Sequence, residues 1–317
     1  MLEQKNKIGS IRESYGKALA VYGEENENVV VLDADVSNST FTKYFAEKHP
    51  KRFFNVGIAE AGMIDTAAGF ALNGMVPFAN SFAALICYRG LEQIRTSVSY
   101  NNLNVKIVAS YAGVSDFKDG PTHYSIFDNA IMRAMPNMTV VNTCDSIETG
   151  KMVKAVAEYK GPVYLRLSRA DLPIIFGSDY QVKIGKGVLI KEGGDLTLIS
   201  TGTMLYRVLK AAEAMKKNGI NARVLQIHTL KPLDDGIIIK AAEETGAIVT
   251  IEEHSIIGGL FSATAELLVK KLSVPIKPIG ISDSYACTSL DLESLLDKVG
   301  LSIENIINAA REVIKNK

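Results

Sequence analysis

Val29-Val30-Val31-Leu32-Asp33 is an unbroken apolar run that ends in a carboxylate. A short run of this kind is typical of a strand buried on both faces, as in a parallel sheet. A helix is predicted before it, over residues 10–22. The rhythm recurs along the first half, with strands predicted at 76–79, 105–110, 139–141 and 162–167 and helices at 62–73, 85–100 and 146–159. This alternation predicts an α/β fold with a doubly wound, largely parallel sheet.

The second half repeats the pattern on a smaller scale. Residues 172–187 have a mixed composition with a weak pattern and are interpreted as a linker. Beyond them, strands are predicted at 195–200, 222–226, 247–252 and 276–280, and helices at 204–217, 236–244 and 259–272. The sequence therefore predicts a first domain over residues 1–175 and a smaller α/β domain over residues 188–317.

Composition excludes several classes of protein. The 317 residues include 35 basic and 35 acidic ones, so no net field attracts nucleic acid or an anionic membrane. Cys87, Cys144 and Cys287 are isolated and form no metal-type pair, which indicates a reducing cytoplasm. The first residues contain no apolar signal core. The uncharged run 66–88 is interrupted by polar residues, glycine and proline, and is interpreted as buried core rather than a membrane span.

Glu60 lies in an apolar part of the sequence, in Gly57-Ile58-Ala59-Glu60. Burying a carboxylate costs free energy unless the group is protonated or hydrogen-bonded. Such an acid can exchange a proton with a ring nitrogen of a bound cofactor near neutral pH. A glutamate at a helix start can instead satisfy backbone N–H groups, so Glu60 alone leaves both interpretations open.

Further candidates follow predicted strands, at the edge where open α/β sheets bind ligands. Asp35 and Ser39 come shortly after the first strand, and Arg169 follows the strand predicted at 162–167. Arg169 taken alone is usually a solvated or ion-paired residue.

An aromatic stripe and a turn add two more candidate groups. Phe82, Leu85 and Tyr88 recur at three-residue spacing after a strand, a pattern that core residues also show. The run Asp119-Gly120-Pro121-Thr122-His123 forms a turn that carries a carboxylate and an imidazole four residues apart.

Together these segments resemble the transketolase family over nearly the whole chain. The family's catalytic glutamate lies in a segment like 56–63 (VGIAEAGM), its pyrimidine-binding aromatics in one like 81–88 (SFAALICY), and its substrate loop in one like 118–123 (KDGPTH). In the second half, 230–234 (LKPLD) and 252–259 (EEHSIIGG) resemble its C-terminal domain. Each string alone is only modestly specific to the family, whereas the order and spacing of all of them together are highly specific.

The resemblance implies a thiamine-diphosphate enzyme that transfers a two-carbon ketol unit between sugar phosphates. Glu60 is the implied catalytic acid, because it would bond the pyrimidine ring nitrogen and favour the imino tautomer that activates the cofactor. His123 is the second implied catalytic residue. The implied cofactor-binding residues are Asp35, Ile58, Glu60, Phe82, Leu85 and Tyr88. The implied substrate-binding residues are Asp119 and His123 for the hydroxyls and Arg12, Ser39 and Arg169 for the phosphate, a task that suits arginine.

Three departures from the family pattern bear on this interpretation. Leu85 stands where many members carry an aromatic residue, and Tyr111 stands where transketolases often have a phosphate-contacting histidine. The family's Gly-Asp-Gly motif, which binds diphosphate and Mg²⁺ in an N-terminal domain, does not occur in the sequence. The chain is therefore similar to the C-terminal section of a split transketolase. The resemblance implies Mg²⁺ ligands on a separate N-terminal subunit, none on this chain, and an α2β2 assembly.

Three alternatives remain open at this point. A 1-deoxyxylulose-5-phosphate synthase has a similar segment around its glutamate, but its loop usually reads Ala-Thr-His where this chain has Pro121-Thr122-His123. A 2-oxo acid dehydrogenase β subunit shares the split architecture, but it does not need Arg12, Ser39 and Arg169 together. A non-catalytic subunit that kept the fold would not need Glu60, Asp119 and His123, all of which are present.

Overall fold

A parallel sheet organises the first half of the chain. The computed structural model describes residues 7–317, and the elements below are those of this range. The strands are β1 Ile8–Ser10, β2 Val29–Asp33, β3 Phe53–Asn55, β4 Val76–Phe82, β5 Lys106–Ser110, β6 Thr139–Asn142, β7 Val163–Arg166, β8 Asp171–Pro173, β9 Val188–Lys191, β10 Leu196–Ser200, β11 Ala222–Gln226, β12 Thr229–Lys231, β13 Ile248–Ser255 and β14 Ile276–Ile281. The larger sheet has the order β12-β6-β7-β5-β4-β2-β3, and only β12 is antiparallel to its neighbour.

Helices cover the sheets and connect the strands. They are α1 Ile11–Glu25, α2 Ser37–Thr40, α3 Lys43–Lys48, α4 Glu60–Leu72, α5 Ala83–Arg89, α6 Leu91–Gln93, α7 Asp128–Ala134, α8 Ser146–Glu158, α9 Leu205–Lys217, α10 Asp235–Thr245, α11 Leu260–Leu268, α12 Leu292–Lys298 and α13 Ile303–Lys315. Short 3₁₀ turns lie at Pro50–Arg52 and Gly202–Met204, and a π-turn lies at Ile94–Ser99. Side-chain caps fix several starts: Ser10 accepts the Glu13 N–H before α1, and Asp145 accepts the Glu148 N–H before α8.

The predicted α/β class with a largely parallel sheet is confirmed. Strand β2 has the predicted bounds and all five of its residues are buried, because helices cover both faces of a parallel sheet. The helix predicted at 85–100 is divided into α5, α6 and the π-turn. Gly90 ends α5, and the chain restarts from there. Strand β4 continues to Phe82, three residues beyond the predicted strand.

Strands β9–β11, β13 and β14 form the second sheet, in the order β14-β13-β10-β11-β9. One strand of the second half, β12, is not part of this sheet. It pairs antiparallel with β6 and so extends the first sheet. The predicted linker is also partly ordered as a strand, since β8 pairs antiparallel with β1.

The uncharged run 66–88 forms the end of α4, all of β4 and most of α5. Residues of β4 such as Phe78 and Ala79 are fully buried in the sheet. Across residues 7–317, the helices are all too short or too polar to span a lipid bilayer.

Candidate functional site

Five adjacent strands end at one edge of the first sheet, and candidate residues lie at or just after their carboxyl ends. In the order β7-β5-β4-β2-β3, parallel strands present their carboxyl ends together. Arg169 follows β7, Tyr111 follows β5, and Phe82 ends β4. Ser39 follows β2 in the short helix α2, and Glu60 follows β3.

Glu60 opens α4 and is buried, with 3% of its surface exposed. Its Oε1 accepts a hydrogen bond from Ser81 at 3.4 Å, and both carboxylate oxygens lie 3.5 Å from an Arg89 nitrogen. These contacts are at the long limit of hydrogen bonding, and the Arg89 side chain is 55% exposed. The Glu60 carboxylate is therefore placed at the sheet edge without a short bond to hold it. Arg89 was not among the predicted site residues.

Arg12 is the centre of a polar cluster. Its guanidinium donates to the Ser39 carbonyl at 2.5 Å, the Tyr111 hydroxyl at 3.0 Å and the Arg169 carbonyl at 3.1 Å. The structure thus brings Arg12, Ser39 and Arg169 together from three distant parts of the chain. Burial lowers the pKa of the Arg12 guanidinium, and the nearby Arg169 charge adds to this effect.

Tyr111 joins this cluster to the aromatic residues. The Phe82 ring stacks on Tyr111 with centroids 4.0 Å apart, and the His123 ring lies 6.3 Å from Phe82. The guanidinium carbons of Arg12 and Arg169 lie 4.7 and 5.6 Å from the Tyr111 centroid, within range of cation–π attraction.

The loop after Tyr111 carries an acidic pair. Asp116 is buried, and its Oδ1 lies 3.3 Å from Nε of Arg169. Burial, reinforced by the neighbouring Asp119 carboxylate, raises the pKa of Asp116 to about 6. Asp119 itself is exposed, and the Nδ1 atom of His123 lies 3.0 Å from the Thr122 hydroxyl. Asp116 was missed by the sequence interpretation, where its only signal is a carboxylate three residues before Asp119.

Residues of both halves of the chain hold this loop in place. Glu253 in β13 accepts the Val114 N–H at 2.8 Å and the Thr203 hydroxyl at 2.7 Å. Arg166 in β7 donates to the carbonyls of Ser125 and Glu253, each at 3.0 Å, and pairs with buried Asp128 at 2.9 Å. The loop therefore depends on the contact between the two sheets.

The contacts recorded for the remaining candidates do not involve the Arg12 cluster. The Tyr88 ring stacks on Phe127, and its hydroxyl lies 3.3 Å from that of Ser125. Asp35 is exposed and accepts a 2.8 Å hydrogen bond from Asn55. Ile58 is 74% exposed, and Leu85 is half-buried in the first turn of α5.

Comparison with known proteins identifies the two halves. The model of the transketolase pyrimidine-binding domain matches residues 9–174, and that of the transketolase C-terminal domain matches residues 185–306. A Methanocaldococcus jannaschii protein named as a transketolase C-terminal section is 43% identical, with 97% of each chain covered. A 6-deoxy-6-sulfo-D-fructose transketolase subunit of a Clostridium species is 39% identical, over 97% of this chain and 95% of the other.

Solved structures agree with this result. A split-gene transketolase, described as an inactive β4 tetramer, superposes with a TM-score of 0.90 at 42% identity, over 97% of this chain and 99% of the other. The Campylobacter jejuni transketolase has the same fold, with a TM-score of 0.80 at 21% identity, but this chain covers only 48% of it. Because both domain models match and relatives are about 40% identical over nearly their whole length, the chain belongs to the transketolase family and corresponds to its C-terminal section.

Proposed function

We propose that this chain is the C-terminal subunit of a two-subunit, thiamine-diphosphate-dependent transketolase that moves a two-carbon ketol unit between sugar phosphates. The observation that carries the proposal is the placement of buried Glu60 on the same sheet edge as the cluster of Arg12, Ser39 and Arg169. An acid for the cofactor and cations for an anionic substrate are the two features that this reaction needs.

The residues present fit the pyrimidine half of thiamine diphosphate. Glu60 is a buried acid with only long contacts, so it retains capacity for a further hydrogen bond. A Cβ built on Gly57, just before Ile58 and Glu60, would meet nothing within 4 Å, so this side of the site is open. Phe82 presents a half-buried aromatic ring next to Ser81. The diphosphate half of the cofactor needs a site for Mg²⁺. The described residues contain no group of three or more His, Cys, Asp or Glu side chains able to hold a metal ion.

The bound cofactor would supply a nucleophilic carbon that accepts the ketol unit. Glu60 would hold a proton at the pyrimidine ring nitrogen, and its burial excludes water from that exchange. Phe82 and Tyr88 would pack against the ring, with Asp35, Ile58 and Leu85 around the cofactor. Asp119 and His123 would orient the hydroxyls of the donor sugar, with His123 also acting in proton transfer.

Arg12, Ser39 and Arg169 would bind the phosphate end of the sugar. Their convergence supports this role, because two guanidinium groups are gathered beside one aromatic ring. Tyr111 occupies the position of the family's histidine, and its hydroxyl accepts from Arg12 at 3.0 Å. Tyr111 therefore orients Arg12.

A separate subunit would complete the enzyme. The chain lacks Gly-Asp-Gly, and it spans 49% of the length of human transketolase, at 36% identity. We propose that an N-terminal subunit supplies the diphosphate and Mg²⁺ site in an α2β2 assembly. We further propose that residues 1–175 and 188–317 form the two domains, and that the protein works in the cytoplasm, where its free cysteines stay reduced.

Reconstitution tests this function. The gene adjacent to this one is searched for an open reading frame with Gly-Asp-Gly and a downstream asparagine, and the two products are combined with thiamine diphosphate and Mg²⁺. We expect ketol transfer between sugar phosphates. Reaction of pyruvate with glyceraldehyde 3-phosphate would instead indicate a 1-deoxyxylulose-5-phosphate synthase. Decarboxylation of a 2-oxo acid would indicate a dehydrogenase β subunit, and full activity after loss of Glu60 would indicate a non-catalytic chain.

A further inference from the structure

Asp116 is a buried carboxylate whose surroundings do not satisfy it. It is 1% exposed, and its Oδ2 atom has no hydrogen-bond partner among the described residues. A buried carboxylate oxygen without a donor is costly and rare. The opposite charge beside it is Arg169, 3.3 Å from Oδ1 to Nε.

The contact between Asp116 and Arg169 is an ion pair without hydrogen-bond alignment. The Nε of Arg169 has no hydrogen-bond partner of acceptable geometry. The Arg169 side chain is 31% exposed and lies over the rings of Tyr111 and Phe117, at 5.6 and 5.8 Å. Arg169 can therefore turn to another anion without breaking a well-formed bond.

Arg12 differs in this respect. Its terminal nitrogens already donate to the carbonyls of Ser39 and Arg169 and to the Tyr111 hydroxyl. Arg12 therefore contributes its charge from a fixed position, whereas the Arg169 guanidinium can turn toward an incoming anion, and Asp116 faces it. A second negative charge within a few ångströms repels such an anion and weakens its binding.

We propose that Asp116 is a specificity-determining residue, an internal counter-ion of Arg169 that lowers the affinity of the site for a doubly charged group. It reduces the advantage of a dianionic sugar phosphate over a substrate whose far end carries one negative charge or none. The proposal rests on the proposed function for the identity of the substrate, but anion binding at Arg169 is measurable without it.

An anion bound at Arg169 also changes the protonation of Asp116. The pKa of Asp116, raised to about 6 by burial and by Asp119, rises further when Arg169 is neutralised by a ligand. The groups that face Asp116 are Arg169, Asp119, His123 and Tyr124. Anion binding should therefore be accompanied by proton uptake, and a variant without the His123 imidazole isolates the contribution of Asp116.

The test is calorimetric titration of the full chain with sulfate at pH 7, where sulfate stays a dianion and cannot itself take up a proton. Two buffers of different ionisation enthalpy report the protons taken up. We expect Asp116→Asn to bind sulfate about tenfold more tightly than wild type, corresponding to about 1.4 kcal/mol. Proton uptake should be present in wild type and in His123→Gln, and lost in Asp116→Asn. Asp235→Asn removes the same charge from an exposed position and should match wild type.

Equal sulfate affinity in wild type and Asp116→Asn, or no sulfate binding by either, would overturn the proposal. The wild-type measurement needs no variant, so absence of proton uptake in both wild type and His123→Gln overturns it even where Asp116→Asn does not fold. Because the titration uses neither thiamine diphosphate nor a partner subunit, its outcome is independent of whether the reconstituted enzyme transfers ketol units.

Discussion

Two residues at the sheet edge hold backbone conformations that are unfavourable for their side chains. Asp35 and Tyr111 have φ values of 64° and 61°, in the left-handed region where side chains other than glycine are uncommon. Each costs of order 1–3 kcal/mol and persists where the surroundings determine it, typically at functional sites. For Tyr111 those surroundings are visible, since its ring stacks on Phe82 and its hydroxyl accepts from Arg12.

Replacing Glu60 by Gln should remove proton exchange with the cofactor while keeping the size of the side chain. General acid–base groups contribute roughly 10²–10⁴-fold, so turnover of the reconstituted enzyme should fall by about that factor. Deuterium exchange at C2 of the bound cofactor measures the step directly. The matched control is Glu92→Gln, an exposed glutamate paired with Arg95. Unchanged exchange in Glu60→Gln would assign the residue to the helix start alone.

Replacing Arg169 by Ala should weaken the use of phosphorylated donors. A hydrogen bond to a charged group is worth about 1.5–3 kcal/mol, so catalytic efficiency with a sugar phosphate should fall about 10- to 150-fold. Hydroxypyruvate has no phosphate and should be affected much less. The measurement is the ratio of the two efficiencies, with Arg95→Ala, a 63% exposed arginine, as the control. Equal losses for both donors would show that Arg169 is structural.

At the scale of secondary structure elements, the start of α8 fastens the segment that connects the two halves. Asp145 caps α8 through the Glu148 N–H and accepts the N–H groups of Ile175 and Phe176 at 2.7 and 2.8 Å. Glu148 accepts the Tyr180 hydroxyl at 3.0 Å. Two buried acids at one helix start thus order residues 175–180, where the sequence predicted only a linker.

Asp145→Ala should destabilise the chain by about 3–7 kcal/mol. Loss of a helix cap costs about 1 kcal/mol, and two further buried N–H groups lose a charged acceptor. Asp291 caps α12 through the Ser294 N–H but is exposed, so Asp291→Ala should cost only about 1 kcal/mol. Urea unfolding of both variants tests the difference. Equal losses would mean that the Ile175 and Phe176 contacts contribute nothing.

Glu148 should make the chain less stable as pH rises. Burial raises its pKa to about 7 from the ordinary 4.5. A carboxyl whose folded pKa is raised favours the folded state below the unfolded pKa, and that contribution is lost as pH rises through about 7. A shift of this size corresponds to about 3 kcal/mol. The difference in free energy of unfolding, Glu148→Gln minus wild type, should therefore increase by up to that amount as pH rises from 4.5 to 8. A difference that does not change with pH would show that the pKa of Glu148 is not raised in the folded chain.

At the scale of the whole molecule, the candidate site is assembled by both halves of the chain yet open at one side. Glu253 and Arg166 couple the second sheet to the loop that carries Asp116 and Asp119. Ile58, next to Glu60, is 74% exposed. This open side supports the proposal that the cofactor is shared between two subunits.

The chain alone should bind thiamine diphosphate weakly and should not transfer ketol units. The reason is that Gly-Asp-Gly is absent from the sequence and the described residues offer no cluster of metal ligands. Calorimetry with cofactor and Mg²⁺ measures the affinity of the chain, first alone and then with the Gly-Asp-Gly subunit added. Tight binding by the chain alone would rule out the split-subunit proposal.

The sequence by itself determined the fold class, the central strands and most of the helices. Strand β2 and helix α8 were predictable because burial and periodicity are local properties of consecutive residues. The sequence also places Arg169 and Ser39 beyond the carboxyl ends of parallel strands, where open α/β sheets bind ligands, and the resemblance to the family implies their roles.

Only the tertiary structure decided which groups meet at that edge. Three contacts join residues far apart in the chain: the pairing of β12 with β6, the hydrogen bond from the Val114 N–H to Glu253, and the ion pair between Asp116 and Arg169. Pairings of this kind leave no periodic signal, because their free energy depends on distance and burial in the folded chain rather than on sequence spacing. For the same reason, the sequence interpretation missed Asp116, which the fold buries against Arg169.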